Sequence, residues 1–208
     1  MINTEVLKVD AVSPDDKAIR LGARILRNGG LVAFPTETVY GIGVNCLDEK
    51  AVKKLCEVKN RPANKPFTIH ISRVDAIREA RCEVTKFAEA LVKAFWPGPL
   101  TIIFKFENGK LGFRMPANSV AKALISESGV PVAAPSANIS GGNPPTSALD
   151  VIKTMEGKID LILDAGETEH GEESTIVDTS VIPYKIVRKG ALGEDKIEEV
   201  WKSVGSNT

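Results

Sequence analysis

Four stretches of the chain place short polar or cationic side chains at the ends of apolar runs. They are Pro35-Thr36-Glu37-Thr38-Val39-Tyr40-Gly41, Lys59-Asn60-Arg61-Pro62-Ala63-Asn64-Lys65-Pro66, Ala134-Pro135-Ser136-Ala137-Asn138 and Glu173-Ser174-Thr175. Any one of them alone reads as ordinary turn chemistry, because Ser, Asn, Pro and Gly satisfy or preset tight backbone turns. Polar residues at strand ends are also where α/β sheets hold ligands, and four such loops together point to a polar pocket. Lys59, Arg61 and Lys65 supply positive charge. Arg grips a phosphate or carboxylate through two parallel bonds, whereas Lys acts as a point charge. Ser136 and Asn138 add hydroxyl and amide donors beside small residues that permit close approach. The chemistry these types support is the holding and orienting of an anion.

Charge is distributed unevenly around these loops. Lys50 to Arg73 contains seven basic residues and one acidic one, and Thr154 to Asp178 contains eight acidic and one basic. A solvated helix face accounts for part of the first run. Over all 208 residues, 27 Lys+Arg balance 27 Asp+Glu, so no global basic field marks a nucleic-acid coat. Apolar residues at 43% and charged residues at 26% suit a globular chain with its own core. No apolar run approaches the ~18–20 residues of a membrane helix, and the first residues lack the pattern of a secretory signal. Cys46, Cys56 and Cys82 are odd in number and widely spaced, as expected of reduced thiols in a cytoplasmic protein.

Several chemistries are excluded. The chain has no G-x-x-x-x-G-K-[ST], H-E-x-x-H or G-x-S-x-G. Gly41-Ile42-Gly43 begins a dinucleotide-type pattern but lacks its third glycine. With only His70 and His170 there is no multi-histidine metal site.

The elements that must position the loops follow from periodicity and punctuation. Ser13 is expected to cap an opening helix that Gly29-Gly30 stops. Leu31 to Phe34 reads as a buried strand ended by Pro35, followed by a loop through Gly41 and Gly43. Asp48 caps a helix to about Val58. Phe67 to Ser72 alternates, with Thr68, His70 and Ser72 on its polar face. Helices cover about Ala76 to Ala80 and Val84 to Phe95, with strands at Leu100 to Phe106 and Leu111 to Met115 around a turn at Glu107-Asn108-Gly109. A helix from Asn118 or Ser119 stops at Gly129, and Val130 to Ala134 is a strand. A loop to Ser147 leads to a helix ending near Met155. Short strands follow at Leu161 to Leu163, Thr175 to Val177 and Lys185 to Val187. Glu194 to Val204 is a closing helix before a frayed Gly205 to Thr208 tail. The class is α/β with a mixed sheet, in a single domain over 1–208 with its core at about 13–192.

At these motifs a family resemblance becomes specific. P-T-E-T-V-Y-G-I-G, K-N-R-P, K-P-F-T-I-H-I, W-P-G-P-L-T, F-R-M-P, A-P-S-A-N-I-S-G and E-S-T-I-V-D, in this order from about Ser13 to Leu192, resemble the YrdC-like family of threonylcarbamoyl-AMP synthases. The resemblance implies an open twisted sheet with flanking helices and a concave basic cavity. It implies conversion of L-threonine, bicarbonate and ATP to threonylcarbamoyl-AMP and pyrophosphate, a nucleotidyl transfer, with Mg²⁺ accompanying ATP. The product serves modification of the adenosine beside certain tRNA anticodons by a separate transferase complex. Carried onto this chain, the threonine contacts fall on Thr38, His70, Arg114, Ala134 and Ser174. The nucleotide contacts fall on Lys59, Arg61, Lys65, Ser136, Asn138, Pro144 and Arg188. Lys110 stands where relatives often carry Thr, so a contact there is of a different kind. The length resembles the short form of the family. Arg114 is expected to take a substrate carboxylate bidentately, and His70 to reach a polar substrate group, its alternative being a solvated strand histidine.

Three other readings stay open at this level. A weak tRNA or double-stranded RNA contact would use the same basic cavity, although zero net charge and 5% aromatics disfavour it as the main role. A paralogue could keep the fold without the activity, yet the K-x-R and P-T-E-T stretches that differ in such relatives are intact. A carbamoyl-transfer role as in hydrogenase maturation belongs to much longer chains with zinc-finger cysteines.

Overall fold

Asp15, not Ser13, caps the first helix: its carboxylate accepts from the Lys17 and Ala18 backbone N–H groups. Both residues suit the position, and the choice falls to the one next to the first helical turn, where a negative charge also meets the helix dipole. The computed structural model describes residues 2–62, 65–107 and 109–205. In chain order its elements are β1 (Glu5–Lys8), α1 (Asp16–Arg27), β2 (Val32–Pro35), β3 (Tyr40–Asn45), α2 (Glu49–Lys59), β4 (Thr68–His70), α3 (Asp75–Glu79), α4 (Lys86–Phe95), β5 (Leu100–Phe106), β6 (Gly109–Arg114), α5 (Ser119–Ser128), β7 (Val132–Ala133), α6 (Ala148–Met155), β8 (Leu161–Asp164), β9 (Thr175–Asp178), β10 (Lys185–Arg188) and α7 (Glu194–Val204). Asp48 and Asn118 cap their helices where the sequence places these starts, and Ser147, expected only as the end of the preceding loop, caps α6.

The strands form one mixed sheet in the order β1-β8-β2-β3-β7-β4-β6-β5-β9-β10. Strand alternation divides the apolar residues between its faces. Val32, Phe34, Leu161 and Leu163 pack with α1 and α5 on one side. Leu31, Ala33, Ile42 and Ile162 pack with α2 and α6 on the other. A further cluster joins α3, α4 and α7 to β5 and β6 through Ile77, Phe87, Leu91, Ile102, Phe113 and Ile197.

Two expectations about strands are corrected. The segment through Gly41 and Gly43 is not a loop but β3, antiparallel to both β2 and β7. Of its two glycines, Gly43 is a spatial requirement. A Cβ on Gly43 would lie 2.9 Å from Phe34 Cε1 and 3.1 Å from Val132 Cγ1. Gly43→Ala should therefore destabilise the fold by about 1–3 kcal/mol through overpacking, read as a lower urea midpoint with unchanged slope. The other correction is β1, which the opening residues did not signal. It pairs in parallel with β8 at the sheet edge, and Val6 on it is exposed, so no apolar alternation announces it. Smaller shifts occur at strand ends: β4 and β7 are shorter than expected and β6 begins earlier. Within the expected tail, residues 206–208 lie outside the described residues, as do Asn108 in the expected turn and Ala63 and Asn64 in the basic loop.

Candidate active site

Strand register brings the site together. β4 and β6 run parallel with His70 opposite Arg114 at their C-terminal ends. β5 and β9 run parallel with Leu100 opposite Thr175, which sets Thr101 beside Ser174. An isolated bridge joins Gly41 to Ser136 and brings the loop after β7 over β3. These ends surround a cavity of about 460 Å³, the size of a small-ligand site.

One end of the cavity is polar but compact. His70 is buried, and its Nδ1 has no hydrogen-bond partner. Burial, reinforced by the charge of Arg114, pushes its imidazole down to about 3, so the ring is neutral at physiological pH. The solvated alternative for His70 is thus overturned. Ser174 Oγ lies 2.9 Å from Thr101 Oγ1 and accepts from Arg188 Nη2 at 3.1 Å. Arg188 also donates to the Ser174 carbonyl and pairs with Glu173 at 2.8 Å, so it fixes the Glu173-Ser174 turn. Ala134 lines the wall.

Arg114 reaches this end in a different state from the one expected. Its Nη2 pairs with Glu37 Oε1 at 2.8 Å and its Nε donates to the Gly98 carbonyl at 3.3 Å. Its Nε and one Nη2 hydrogen are thereby engaged, and the Nη1 hydrogens with the second Nη2 hydrogen form the end it presents to a ligand.

The other end is cationic. Lys59 is buried at the last turn of α2, and its Nζ donates to the carbonyls of both Ser136 and Asn138. Burial, with Arg61 nearby and Glu173 opposing, pulls its ammonium down to about 8. Lys59 thereby serves as a clamp on the loop after β7. Within that loop Ser136 Oγ donates to Asn138 Oδ1 at 2.7 Å, and Asn138 Nδ2 donates to the Gly142 carbonyl. Arg61 stacks 4.8 Å above the Phe67 ring and donates to the Pro66 carbonyl. Lys65 and Pro144 complete this end. Asn60 adopts a left-handed φ of 50°, which turns the chain out of α2 and into the basic loop.

Two expected residues lie outside the cavity lining. Thr38 is fully buried behind Thr36, its hydroxyl 2.8 Å from the Thr36 hydroxyl, and it is Thr36 that faces the cavity. Lys110 sits near the far end of β6 and pairs with Asp178 at 2.7 Å. Conversely, Thr101 lines the cavity unheralded, Glu173 of the fourth polar stretch lines it without having been given a role, and Glu37 stands directly behind it. The alternation of Leu100-Thr101-Ile102 carried the signal for Thr101, since a lone polar residue in an apolar strand faces away from the core. Among the lining residues Glu173 is the one carboxylate. No cysteine lines the cavity.

The comparisons with known proteins agree with this geometry. The family model for Sua5, YciO and YrdC, described as "Telomere recombination", matches residues 24–190. The chain is 47% identical over 192 residues to a threonylcarbamoyl-AMP synthase from Pyrococcus abyssi, covering 88% of this chain and 56% of that protein. The chain spans little more than half the length of the first curated relatives it matches. The crystal structure of P. abyssi Sua5 complexed with L-threonine superposes with a TM-score of 0.87 at 42% identity, covering 96% of this chain and 60% of that one. E. coli YciO shares the fold at a TM-score of 0.81 and 24% identity, over 93% of this chain and 98% of that one. By its match to the family model over residues 24–190 and its identity to the Pyrococcus relative, this chain belongs to the Sua5/YciO/YrdC family.

Proposed function

We propose that the chain is a threonylcarbamoyl-AMP synthase, a nucleotidyl-transferring enzyme that uses L-threonine, bicarbonate and ATP and releases pyrophosphate. The observation that carries this reading is one cavity with two chemically distinct ends. A neutral histidine, a hydroxyl pair and one guanidinium end suit an amino acid. Arg61, Lys65 and the Lys59-clamped Ser136–Asn138 loop suit a triphosphate. The name of the Pyrococcus relative and the threonine bound to P. abyssi Sua5 support it.

In this reading the Nη1/Nη2 end of Arg114 holds the threonine carboxylate, while His70 and Ser174 meet its polar groups. The amine, once unprotonated, attacks bicarbonate carbon and water leaves, forming the carbamate. A carbamate oxygen then attacks the α-phosphorus and pyrophosphate departs. Because the substrate supplies the nucleophile, the protein contributes positioning and positive charge. Mg²⁺ enters as part of the MgATP substrate. Because Mg²⁺ dehydrates reluctantly and favours phosphate oxygens, ATP oxygens and water are its main ligands in this reading. The adenylate then passes to a tRNA-modifying transferase complex in the cytoplasm, with tRNA contact at the basic rim as a secondary interaction. No helix among the described residues is long and apolar enough to cross a membrane.

Incubation with labelled bicarbonate, L-threonine and MgATP should give a labelled adenylate in step with pyrophosphate. Pyrophosphate release that is indifferent to the amino acid would sink the assignment. Substrate preference sharpens the test. L-Threonine should be used about 10–200-fold better than L-serine, because its methyl fills apolar space. Valine should be the poorest, since it leaves a buried polar partner unpaired at a cost of about 1–3 kcal/mol. Amino-acid-dependent pyrophosphate release measures the order. Valine matching threonine would remove the hydroxyl-binding role from this end of the cavity.

A further inference from the structure

The P-T-E-T loop contains a buried acid that no substrate-contact argument uses. Glu37 is 5% exposed and outside the cavity lining. Its two carboxylate oxygens are split between two tasks. Oε1 accepts from Arg114 Nη2 at 2.8 Å, and Oε2 accepts from the Ala117 backbone N–H at 3.1 Å, just before Asn118 caps α5. Its own carbonyl accepts from the His170 N–H. Glu37 thus ties together the loop between β2 and β3, the end of β6, the entry to α5 and the loop after β8.

Burying a guanidinium is costly unless a counter-charge and hydrogen bonds accompany it. Arg114 is 4% exposed, and Glu37 is the acid paired with it. With Nη2 on Glu37 and Nε on Gly98, the guanidinium plane is held by two partners, and its Nη1/Nη2 end is what remains for a ligand. A flexible Arg would fold either edge onto a carboxylate or turn toward the phosphates. A fixed one offers its donors at a single place.

We propose that Glu37 is the positioning residue of the amino-acid end: by occupying one edge of Arg114, it fixes the other edge as an end-on receptor for the substrate carboxylate. The inference rests on the amino-acid substrate proposed above. It goes further in assigning carboxylate recognition to the Glu37–Arg114 pair as a unit. It also predicts that Arg114 discriminates among ligands by their carboxylate and takes no part in holding ATP.

The test uses the full chain with Glu37→Gln and Glu37→Asp, and compares L-threonine with L-threoninol, which lacks the carboxylate. In the parent, threonine should bind at least about tenfold more tightly than threoninol, the scale of one lost charge-assisted bond. Glu37→Gln should raise the KM for threonine about 10–100-fold, leave the KM for ATP within about twofold, and bring threonine and threoninol to similar affinity. Glu37→Asp keeps the buried charge but is one methylene short of reaching both partners. It should show the same selective loss to a smaller degree, and it carries the test if the Gln variant does not fold. Equal losses for threonine, threoninol and ATP would reduce Glu37 to a structural prop and overturn the proposal, as would unchanged threonine KM in Glu37→Asp. A parent protein that binds no α-amino acid would instead overturn the functional reading itself.

Discussion

Lys59→Ala should reduce turnover by about 10²–10³-fold, the loss typical when a preorganised donor set is dismantled. The effect is expected although Lys59 Nζ is spent on the protein. It satisfies the carbonyls of Ser136 and Asn138, the two residues whose side chains line the cationic end. Truncation leaves these acceptors without their charged donor and frees the loop that sets the two side chains. Lys59→Arg should not rescue, because a planar fork does not fit where a tetrahedral ammonium bridges two converging carbonyls. The pH dependence separates clamp from core. In the fold this ammonium titrates near 8, against 10.5 for an ordinary lysine, because burial disfavours its charge. Below about pH 8 it is charged in both folded and unfolded chains and opposes folding. As pH rises from about 8 to 10.5 the unfolded chain binds the extra proton, so this opposition fades and the fold gains stability. Turnover should move the other way and decline above about pH 8 as the clamp becomes a neutral amine. Urea midpoints and rates for the parent and Lys59→Met across pH 7–10 check both trends. A parent rate that rises smoothly through pH 9 would show that the ammonium charge is not needed.

This division between clamp and contact explains what could and could not be read from the sequence. Helix starts at Asp48, Asn118 and Ser147 were legible because a cap is a local event: one side chain meets a backbone N–H two or three residues on. The four loops were legible only as a set: each alone reads as turn chemistry, and four polar stretches at the ends of apolar runs together point to one pocket. The pairing partners of those loops were not legible. Lys59 and Ser136 are 77 residues apart, as are Glu37 and Arg114. Only the sheet order, in which β7 separates β3 from β4, brings them together. Residue type told that Arg114 would seek an anion, but not that the protein already supplies one. Gly41 and Gly43 misled for a related reason. Local propensity disfavours a glycine-bearing strand, and at Gly43 tertiary packing prevailed because Phe34 and Val132 occupy the space a side chain would need. Thr38 and Thr36 were indistinguishable by pattern. They share one strand-to-strand turn, and the hydrogen bonds that close it on the Thr36 hydroxyl, from the Thr38 and Val39 N–H groups and to the Val39 carbonyl, leave Thr36 lining the cavity and Thr38 behind it.

Arg61→Ala should also cost about 10²–10³-fold in turnover while leaving the melting transition nearly unchanged. Unlike Lys59, Arg61 holds little of the fold. Its backbone N–H closes the last turn of α2 on the Cys56 carbonyl, and among the described residues its side chain donates to the Pro66 carbonyl at 3.0 Å, five residues along the same loop. What the structure gives it is orientation. The guanidinium lies 4.8 Å above the Phe67 ring, and its Nε is buried with no partner. A buried donor left unpaired in a cation-lined cavity is a free-energy deficit that an incoming anion relieves. That deficit is absent in water, so it favours phosphate bound in this place over phosphate elsewhere. Arg61→Lys retains the charge but neither the planar stack nor the fork, and should recover less than a tenth of the lost rate. Phe67→Leu removes the platform while keeping the guanidinium, and should fall between parent and Arg61→Ala. The defect should sit on the nucleotide side: the KM for ATP rises, and that for L-threonine holds within about twofold. The contrast with Glu37 is then complete, since one variant loses the carboxylate end and the other the phosphate end of the same cavity. If Arg61→Ala instead raises the threonine KM and spares ATP, the two ends have been assigned in reverse, and Arg114 with Glu37 must face the triphosphate.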